Sequence, residues 1–448
     1  MSNWSVVTTA KSDKEVIDIF IDHYIKAGVS EIFIYLDDSA DSFIKDAYFN
    51  NTKVKIYVCD KVFWSIDYKF NCFKFVGRPD GVEDRQCHNI VHALSKTTAK
   101  WIASVDIDEL IYCEKNISSV LNSVPNNIYS LRLKPFEATY LNAPPQTYQE
   151  AFSTRYFKHL TKRNDVFFWN DILPKNVMHN TGFIGHISGK YFIRSDEPLK
   201  LPSIHYPQPL DTTLITNFRV DDLKLLHYEA LTVDYFIKKS LNRINKSFNV
   251  KYLDRLSIAR LELFKKIFDS NGLDGLKDSY NKIHVLDSST IKKAISIHVV
   301  DEIDTNNINN SFISVIMSVH YSFLTFNINT NECQLTDINQ IENLPNNLKI
   351  VEIHYDIDQG LCYLFTKINN KIVYLYLDRH GRLISYPLQK AMIFKCQSHD
   401  TISPQISILN SNNQYFTGMP NGEFKIGAKE AKAWEIFCIN KRLCCTNI

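Results

Sequence analysis

The stretch Lys100-Trp101-Ile102-Ala103-Ser104-Val105-Asp106-Ile107-Asp108-Glu109-Leu110-Ile111 decides the reading of this chain. It starts as a short apolar run and ends on two aspartates one residue apart, followed by a glutamate. An apolar run of this length, bounded by polar residues, predicts a buried strand. Alternate side chains of a strand share a face, so Asp106 and Asp108 are expected to point the same way. Two carboxylates side by side at the end of a buried strand repel, and desolvation raises the cost. A divalent cation removes it, and Mg²⁺ or Mn²⁺ held by one or two carboxylates plus substrate phosphates suits the pattern. The bland alternative is a strand end whose acids face water.

Upstream, Trp4 to Ala10 reads as a strand, and Lys11-Ser12-Asp13 follows it. Val16, Ile17, Phe20, Ile21, Tyr24 and Ile25 recur at helical spacing until Gly28 ends the pattern. Glu31 to Leu36 is a second strand running into Asp37-Asp38-Ser39-Ala40-Asp41; a helix over 42–49 and a third strand, Val54 to Val58, come next. After an aromatic-rich loop, Arg85 to Thr98 reads as a helix feeding the Asp106 strand. Such alternation predicts a parallel sheet with helices on both faces, and ligands of such sheets bind at the carboxyl ends of the strands. Lys11, Asp37 and Asp106 all fall there. An Asx turn capping the 42–49 helix is the alternative for Asp37, Asp38, Ser39 and Asp41, and Lys11 is otherwise an ordinary surface lysine.

These residues resemble the GT-A glycosyltransferases, in particular the family-2-like and family-92-like groups. Lys11-Ser12-Asp13, Asp18, His23-Tyr24 and Gly28-Val29 are similar to their opening block. Ile34 to Asp41 is similar to their Tyr-x-Asp-x-Ser-x-Asp block, and Gln86 and Asn89 to the helix before the metal strand. Trp101-Ile102 with Asp106 to Leu110 is similar to the Asp-x-Asp motif itself. The match covers roughly the first half of the chain. Ser12 and Asp13 stand where the family has Asn and Glu, and Asp18-Ile19 where it has Glu-Trp. The resemblance implies a Rossmann-like, mostly parallel mixed sheet and a nucleotide-sugar donor, a UDP-sugar being favoured. It implies Mn²⁺ or Mg²⁺ on Asp106 and Asp108, with Asp37 reaching the ribose or base. Lys11, Gln86 and Lys190 join the donor-binding set. The cation would stabilise charge growing on the leaving nucleoside diphosphate.

Residues 130 to 245 are expected to hold the acceptor side. Ile128 to Leu133 reads as a strand ending near Lys134-Pro135-Phe136-Glu137; Arg155 to Arg163, with Lys158, His159 and Lys162, is basic. Gly182 to Arg194 reads as a Gly-punctuated hairpin, and its Gly189, Lys190, Ile193 and Arg194 are similar to the family's Gly-Lys-x-Ile-Val-Arg block. His205, in Ser203-Ile204-His205-Tyr206-Pro207, and His227, in Leu225-Leu226-His227-Tyr228, are the two candidates for a late metal ligand. His205 is narrowly favoured, and imidazole suits Mn²⁺ better than Mg²⁺. Lys190, Arg194 and Arg155 are candidates to clamp phosphate or acceptor hydroxyls, or else solvated charges. Family likeness leans toward inversion, which needs a carboxylate base. The candidates are Asp165, Asp171, Glu137 and Glu150. Asp171, beside Phe167-Phe168-Trp169, is preferred because an aromatic setting stacks on sugar and raises a carboxylate pKa.

Leu253 to Phe268 and Leu273 to Ile283 read as helices bracing this domain, as does Ile291 to Val300. The Asn-rich Asp304 to Asn310 is the boundary, giving 1–245, a helical connector over 246–304, and 311–448. Beyond it the pattern changes to short strands in three similar units. Their anchors Phe323, Tyr374 and Tyr415 lie 51 and 41 residues apart. Three four-strand units of this size predict an all-β trefoil, and the third resembles fascin-like and ricin-like modules. Such a module implies glycan binding or plain bracing. The ricin-type Gln-x-Trp triplet is absent, and Tyr363, Tyr376 and Tyr415 are candidates to stack on glycan.

At 448 residues the chain exceeds what one core supports. A net charge of +2 gives no argument for nucleic acid or an anionic membrane. No apolar run approaches the ~18 residues of a membrane helix, and the N-terminus lacks a basic region followed by an apolar core. With 10 scattered cysteines and no CxxC pair, a reducing cytoplasm is expected; Cys59, Cys72, Cys87 and Cys113 read as small buried apolar residues. Three functions compete: a metal-dependent glycosyltransferase acting on a glycan or other hydroxyl acceptor, a glycan- or protein-binding relative without turnover, and a metal-dependent phosphoryl or nucleotidyl transferase. No Gly-rich phosphate loop supports the last.

Overall fold

A computed structural model of the protein describes residues 3–67, 77–160, 168–169, 182–245, 255–305, 312–356, 359–369, 371–378, 380–385, 390–399 and 405–444. The first half builds a mixed parallel and antiparallel sheet; the second builds a separate, all-antiparallel one.

The chain opens with β1 (Trp4–Ala10), α1 (Lys14–Lys26), β2 (Glu31–Leu36), a short 3₁₀ turn over Ser39–Ser42, α2 (Phe43–Ala47), β3 (Val54–Val58), α3 (Val82–Leu94) and β4 (Trp101–Ser104). Strands β3, β2, β1 and β4 lie side by side and all run parallel. Every residue of β2 is buried, as a parallel strand covered on both faces requires. Val6, Ile32 and Ile34 meet Val16, Ile17, Phe20 and Tyr24 of α1 on one face. Val7, Phe33 and Tyr35 meet Ile90 and Ala93 of α3 on the other. The two helical faces seen in the sequence are thus the two covers of the sheet. The single helix expected over 42–49 is a 3₁₀ turn followed by one short helix, because Asp38 caps the turn by accepting from the Ala40 N–H at 3.1 Å.

Next come β5 (Glu109–Tyr112), α4 (Ile117–Asn122), the long β6 (Ser130–Leu141), α5 (Tyr148–Phe152), β7 (Tyr156–His159) and β8 (Lys190–Arg194). A small pair, β9 (Leu199–Leu201) and β10 (Gln208–Pro209), precedes β11 (Phe218–His227) and α6 (Val233–Asn245). Then α7 (Arg255–His284), β12 (Val285–Leu286), α8 (Ser288–Ser296) and β13 (Val300–Glu302) complete this half. The expected hairpin over 182–194 is instead one strand, β8, inserted antiparallel between β4 and β6. Helix α7 is broken at Gly272, where φ is 60° and ψ −145°, between the two helical segments read from the sequence.

His284 ends α7, 1% exposed, with its ring 5.1 Å from Tyr280 and 5.7 Å from Phe236. Its Nε2 has no hydrogen-bond partner among the described residues. Burial holds the imidazole at about 3, against an ordinary 6.5. The folded chain keeps the ring neutral while the unfolded chain protonates it, so this stability is complete above pH 6.5 and lost as the pH falls toward 3. At pH 5 the loss from this group is expected to be on the order of 2 kcal/mol. Denaturant melts at pH 7.5 and pH 5 check it: the drop in the wild type exceeds that in His284→Phe, and equal drops would contradict the assignment.

Among the described residues the second half has twelve strands in three units of four. The first is β14 (Phe312–Met317), β15 (Ser322–Asn327), β16 (Glu332–Asp337) and β17 (Leu348–Asp356). The second is β18 (Leu361–Ile368), β19 (Lys371–Leu377), β20 (Leu383–Ser385) and β21 (Phe394–Ser398). The third is β22 (Gln405–Leu409), β23 (Tyr415–Gly418), β24 (Phe424–Ala428) and β25 (Phe437–Cys444). The outer strands of the units pair in a ring, β14-β17-β18-β21-β22-β25 and back to β14. The inner strands form three hairpins. Phe323 and Tyr415 lie at the start of the first hairpin strand of their unit, and Tyr374 in the middle of its own.

The two halves pack together. Tyr363, Phe365, Tyr374 and Ala391 join the core of the first half, and Tyr363 lies 5.5 Å from Phe218. Ser123 and His354 are hydrogen-bonded at 2.6 Å, and the Arg219 N–H donates to Asp356 at 2.8 Å. Tyr363, expected as a glycan platform, is fully buried in this seam and cannot stack on sugar. Tyr376 and Tyr415 are partly exposed. Among the described residues no helix is long and apolar enough to cross a membrane, and seven cysteines are free thiols, Cys59 and Cys113 buried and Cys87 half-buried. Cys72 lies outside the described residues.

Candidate functional site

Strands β1, β2 and β4 end at one edge of the sheet, where Lys11, Asp37 and Asp106 follow them. The strand bearing the Asp-x-Asp pair stops earlier than its alternation suggests. Ser104 is its last residue, and Asp106 to Asp108 form the turn into β5. Two interactions impose the turn. The Glu109 carboxylate accepts from the Asp106 N–H at 2.7 Å, and the Glu109 N–H donates to the Asp106 carbonyl at 3.0 Å. The Tyr228 N–H then ties the Asp108 carbonyl to the end of β11 at 2.9 Å. Asp106 and Asp108 therefore do not share a strand face.

Asp106 accepts from Gln86 Nε2 at 2.7 Å and faces the Lys190 ammonium at 2.8 Å. Lys190 is 4% exposed, and it lies 3.9 Å from Glu109. Burial pushes the Asp106 carboxyl up, but Lys190 outweighs burial and holds it at about 2. Burial drives Glu109 up to about 7 against the pull of Lys190. Asn89, one helical turn beyond Gln86, donates to Thr9 at 2.8 Å; α3 thus aims both residues at the sheet edge.

Asp108, 7% exposed, meets the Lys239 ammonium at 3.4 Å. Lys239 also reaches Glu229 at 3.2 Å, and Arg243 lies 3.5 Å from the same carboxylate. His227 Nε2 is 3.4 Å from Glu229. Burial lowers the His227 imidazole, yet Asp108, Glu109, Glu229 and Glu137 around it raise it above its ordinary value. A Cβ on Gly185 would sit 2.4 Å from the His227 ring, so only glycine lets that loop close over the histidine. Below it, Glu137 and Lys158 form an ion pair at 2.6 Å, each 1% exposed.

At the neighbouring strand end Asp37 is held by Arg78 at 2.8 Å and by Arg85 at 2.8 Å. Lys11 pairs instead with Asp38, at 2.7 Å, on the open surface. His205 Nδ1 donates to the Gly189 carbonyl at 2.7 Å, and its ring is 5.5 Å from His186. Burial pushes the His205 imidazole down to about 4.

Several expected site residues take other places. Glu137 is a fully buried partner of Lys158 in the middle of β6, not an accessible base. Glu150 closes the start of α5 by accepting from the Gln146 N–H at 2.7 Å. Arg194 is 1% exposed, donates to the Val124, Pro125 and Ile128 carbonyls, and stacks on Trp101, so it braces β8 and clamps no phosphate. Arg155 pairs with Glu302 at 3.5 Å on the far side, at a cavity of about 690 Å³ lined by Tyr112, Lys224 and Asp301. Asp165, Asp171 and Lys162 lie outside the described residues. Glu229 and Arg78 were not singled out in the sequence: Arg78 meets Asp37 from 41 residues away, and Glu229 meets Lys239 and Arg243 only through the packing of α6 beside the end of β11.

The Mn²⁺ or Mg²⁺ implied on Asp106, Asp108 and His205 or His227 does not fit this donor set. Lys190 and Lys239 already neutralise the two carboxylates, so a dication there would stand beside both ammoniums. Among the described residues no group of three or more His, Cys, Asp or Glu side chains converges with metal-ligand geometry.

No known family's sequence model matches the chain, and no curated protein matches it. Among solved structures it is similar to the crystal structure of Cry35Ab1, with 9% identity and a TM-score of 0.23 over 31% of this chain. The matched region spans 37% of that chain, and a likeness at that level carries no argument about fold or function.

Proposed function

We propose that the first half of the chain is a GT-A-type glycosyltransferase that moves a sugar from a nucleoside-diphosphate donor, a UDP-sugar being favoured, to a hydroxyl acceptor such as a glycan. The observation that carries this reading is the placement of Asp106 and Asp108 on the turn leaving β4, at the carboxyl edge of parallel strands, one strand over from Lys11 and two from Asp37. Ligands of parallel sheets bind at that edge. In the transfer, the acceptor oxygen bonds to the anomeric carbon as the bond to the diphosphate oxygen breaks. The electron pair departs with the nucleoside diphosphate, and the hydroxyl proton passes to a carboxylate, for which Asp171 remains the candidate. For the second half, three four-strand units closing a six-strand ring with three hairpins support a β-trefoil, with glycan binding as its proposed role.

One observation favours the second reading, a binding protein without turnover: Asp37, Asp106 and Asp108 are all engaged by cations of the chain. Thermal melts with a panel of nucleoside diphosphates test the donor site. Ligand at 100 times its Kd adds about 2.7 kcal/mol of stability, so one diphosphate is expected to raise Tm in the wild type and not in Asp106→Asn. No shift with any diphosphate contradicts the enzyme reading.

A further inference from the structure

We infer that the positive charge facing the donor diphosphate at this edge is supplied by the chain itself, by the buried ammonium of Lys190 and the half-buried one of Lys239, and that the site binds its donor without a divalent cation. The inference rests on the nucleotide-sugar reading above and adds to it what neutralises the leaving group.

Both carboxylates of the turn are already neutralised by ammoniums of the chain. One Asp106 oxygen accepts from Gln86 at 2.7 Å and the other faces Lys190 at 2.8 Å. The Asp108 oxygen that faces the cluster meets Lys239 at 3.4 Å. A Mg²⁺ with its ligands at about 2.0–2.1 Å on these carboxylates would stand beside both ammoniums, like charge against like. To admit it without that repulsion, Lys190 would have to leave Asp106. Its side chain is 5% exposed, and among the described residues the next carboxylate in ion-pair range is Glu109, at 3.9 Å. A buried ammonium deprived of its partner is strongly unfavourable. Lys239 is no freer: it is held by Glu229 through both the carboxylate, at 3.2 Å, and the backbone carbonyl, at 3.0 Å.

What the geometry builds is a pair of fixed ammoniums. Lys190 is the first residue of β8, locked between β4 and β6. Lys239, on α6, reaches Asp108, the other carboxylate of the turn. A lysine ammonium is an effective point-charge partner for phosphate, and a charge fixed before the reaction costs no reorganisation as the leaving group develops its own. Asp106 and Asp108 are positioning residues here: they hold the two ammoniums at the turn.

The test is calorimetric titration of the full-length protein with UDP and with GDP, once in EDTA and once in millimolar MnCl₂ or MgCl₂. The expected result is that the diphosphate that binds does so with the same Kd, within about twofold, in all three buffers. Lys190→Met is expected to weaken binding more than about tenfold, with Lys190→Arg recovering most of it, and Lys239→Met provides a second, independent variant. Binding that disappears in EDTA and returns with Mn²⁺ or Mg²⁺ overturns the inference and leaves the donor site standing. Binding of neither diphosphate in any buffer overturns the nucleotide-sugar reading and this inference with it. The wild-type comparison between buffers needs no variant to fold.

Discussion

Replacing Glu137 by alanine is expected to destabilise the first half of the chain by about 3–5 kcal/mol. The carboxylate is 1% exposed and pairs at 2.6 Å with Lys158, also 1% exposed. It further accepts the N–H groups of Ile184 and Gly185, at 2.9 and 2.6 Å. Its removal leaves a buried ammonium with the Gly182 carbonyl, 3.0 Å away, and the face of Trp169, and it strips two backbone donors of their acceptor. An unpaired buried charge and unsatisfied buried N–H groups are among the largest single-site costs known. The double replacement Glu137→Leu, Lys158→Met removes both charges and is expected to recover much of the loss, because an ion pair exchanged for apolar side chains of similar volume is often near neutral. Urea melts of the two variants check this; a double variant no more stable than Glu137→Ala would show that the two N–H groups, not the stranded ammonium, dominate.

The second large effect is expected from Gly189→Ala. Gly189 adopts φ +68°, and a Cβ there would stand 2.1 Å from the Leu133 carbonyl oxygen. Backbone does not yield as a flexible side chain does, and the left-handed conformation adds its own strain, about 1–3 kcal/mol for a residue with a side chain. The register of β8 against β6 must shift, and Lys190, the next residue, moves with it. The expected result is a loss exceeding about 3 kcal/mol in the same melt. Weakened nucleoside-diphosphate binding should accompany it under conditions where the variant remains folded. Wild-type stability and binding in this variant would contradict the close packing of β8.

Much of this was legible in the sequence. The apolar spacing of Val16, Ile17, Phe20 and Tyr24 is the buried face of α1, and the unbroken run from Ile32 to Leu36 is a strand covered on both sides. The three β units were readable from Phe323, Tyr374 and Tyr415. What was not legible depends on partners far away in the chain. The alternation through Ser104-Val105-Asp106-Ile107-Asp108 looks like continuing strand; it ends because Glu109 folds back on the Asp106 N–H and Tyr228 takes the Asp108 carbonyl. Lys158 and His159 look like a basic surface run. Only the pairing of β7 with β6, which sets Lys158 opposite Glu137, turns Lys158 inward. Tyr363 looks like any other aromatic of the β half until the packing of the two halves buries it. Gln86 meets Asp106 because one helix carries it to the edge where Asp106 emerges.

The account stands or falls on whether the Asp106–Asp108 turn serves a sugar donor. Release of nucleoside diphosphate from a panel of nucleotide sugars by the full-length protein measures this directly. The account predicts release from one donor by the wild type, slowed about 100-fold or more in Asp106→Asn, with both proteins melting as folded chains. Donor binding without release supports the scaffold reading in place of the enzyme. Release that Asp106→Asn leaves unchanged would contradict the assignment of the site.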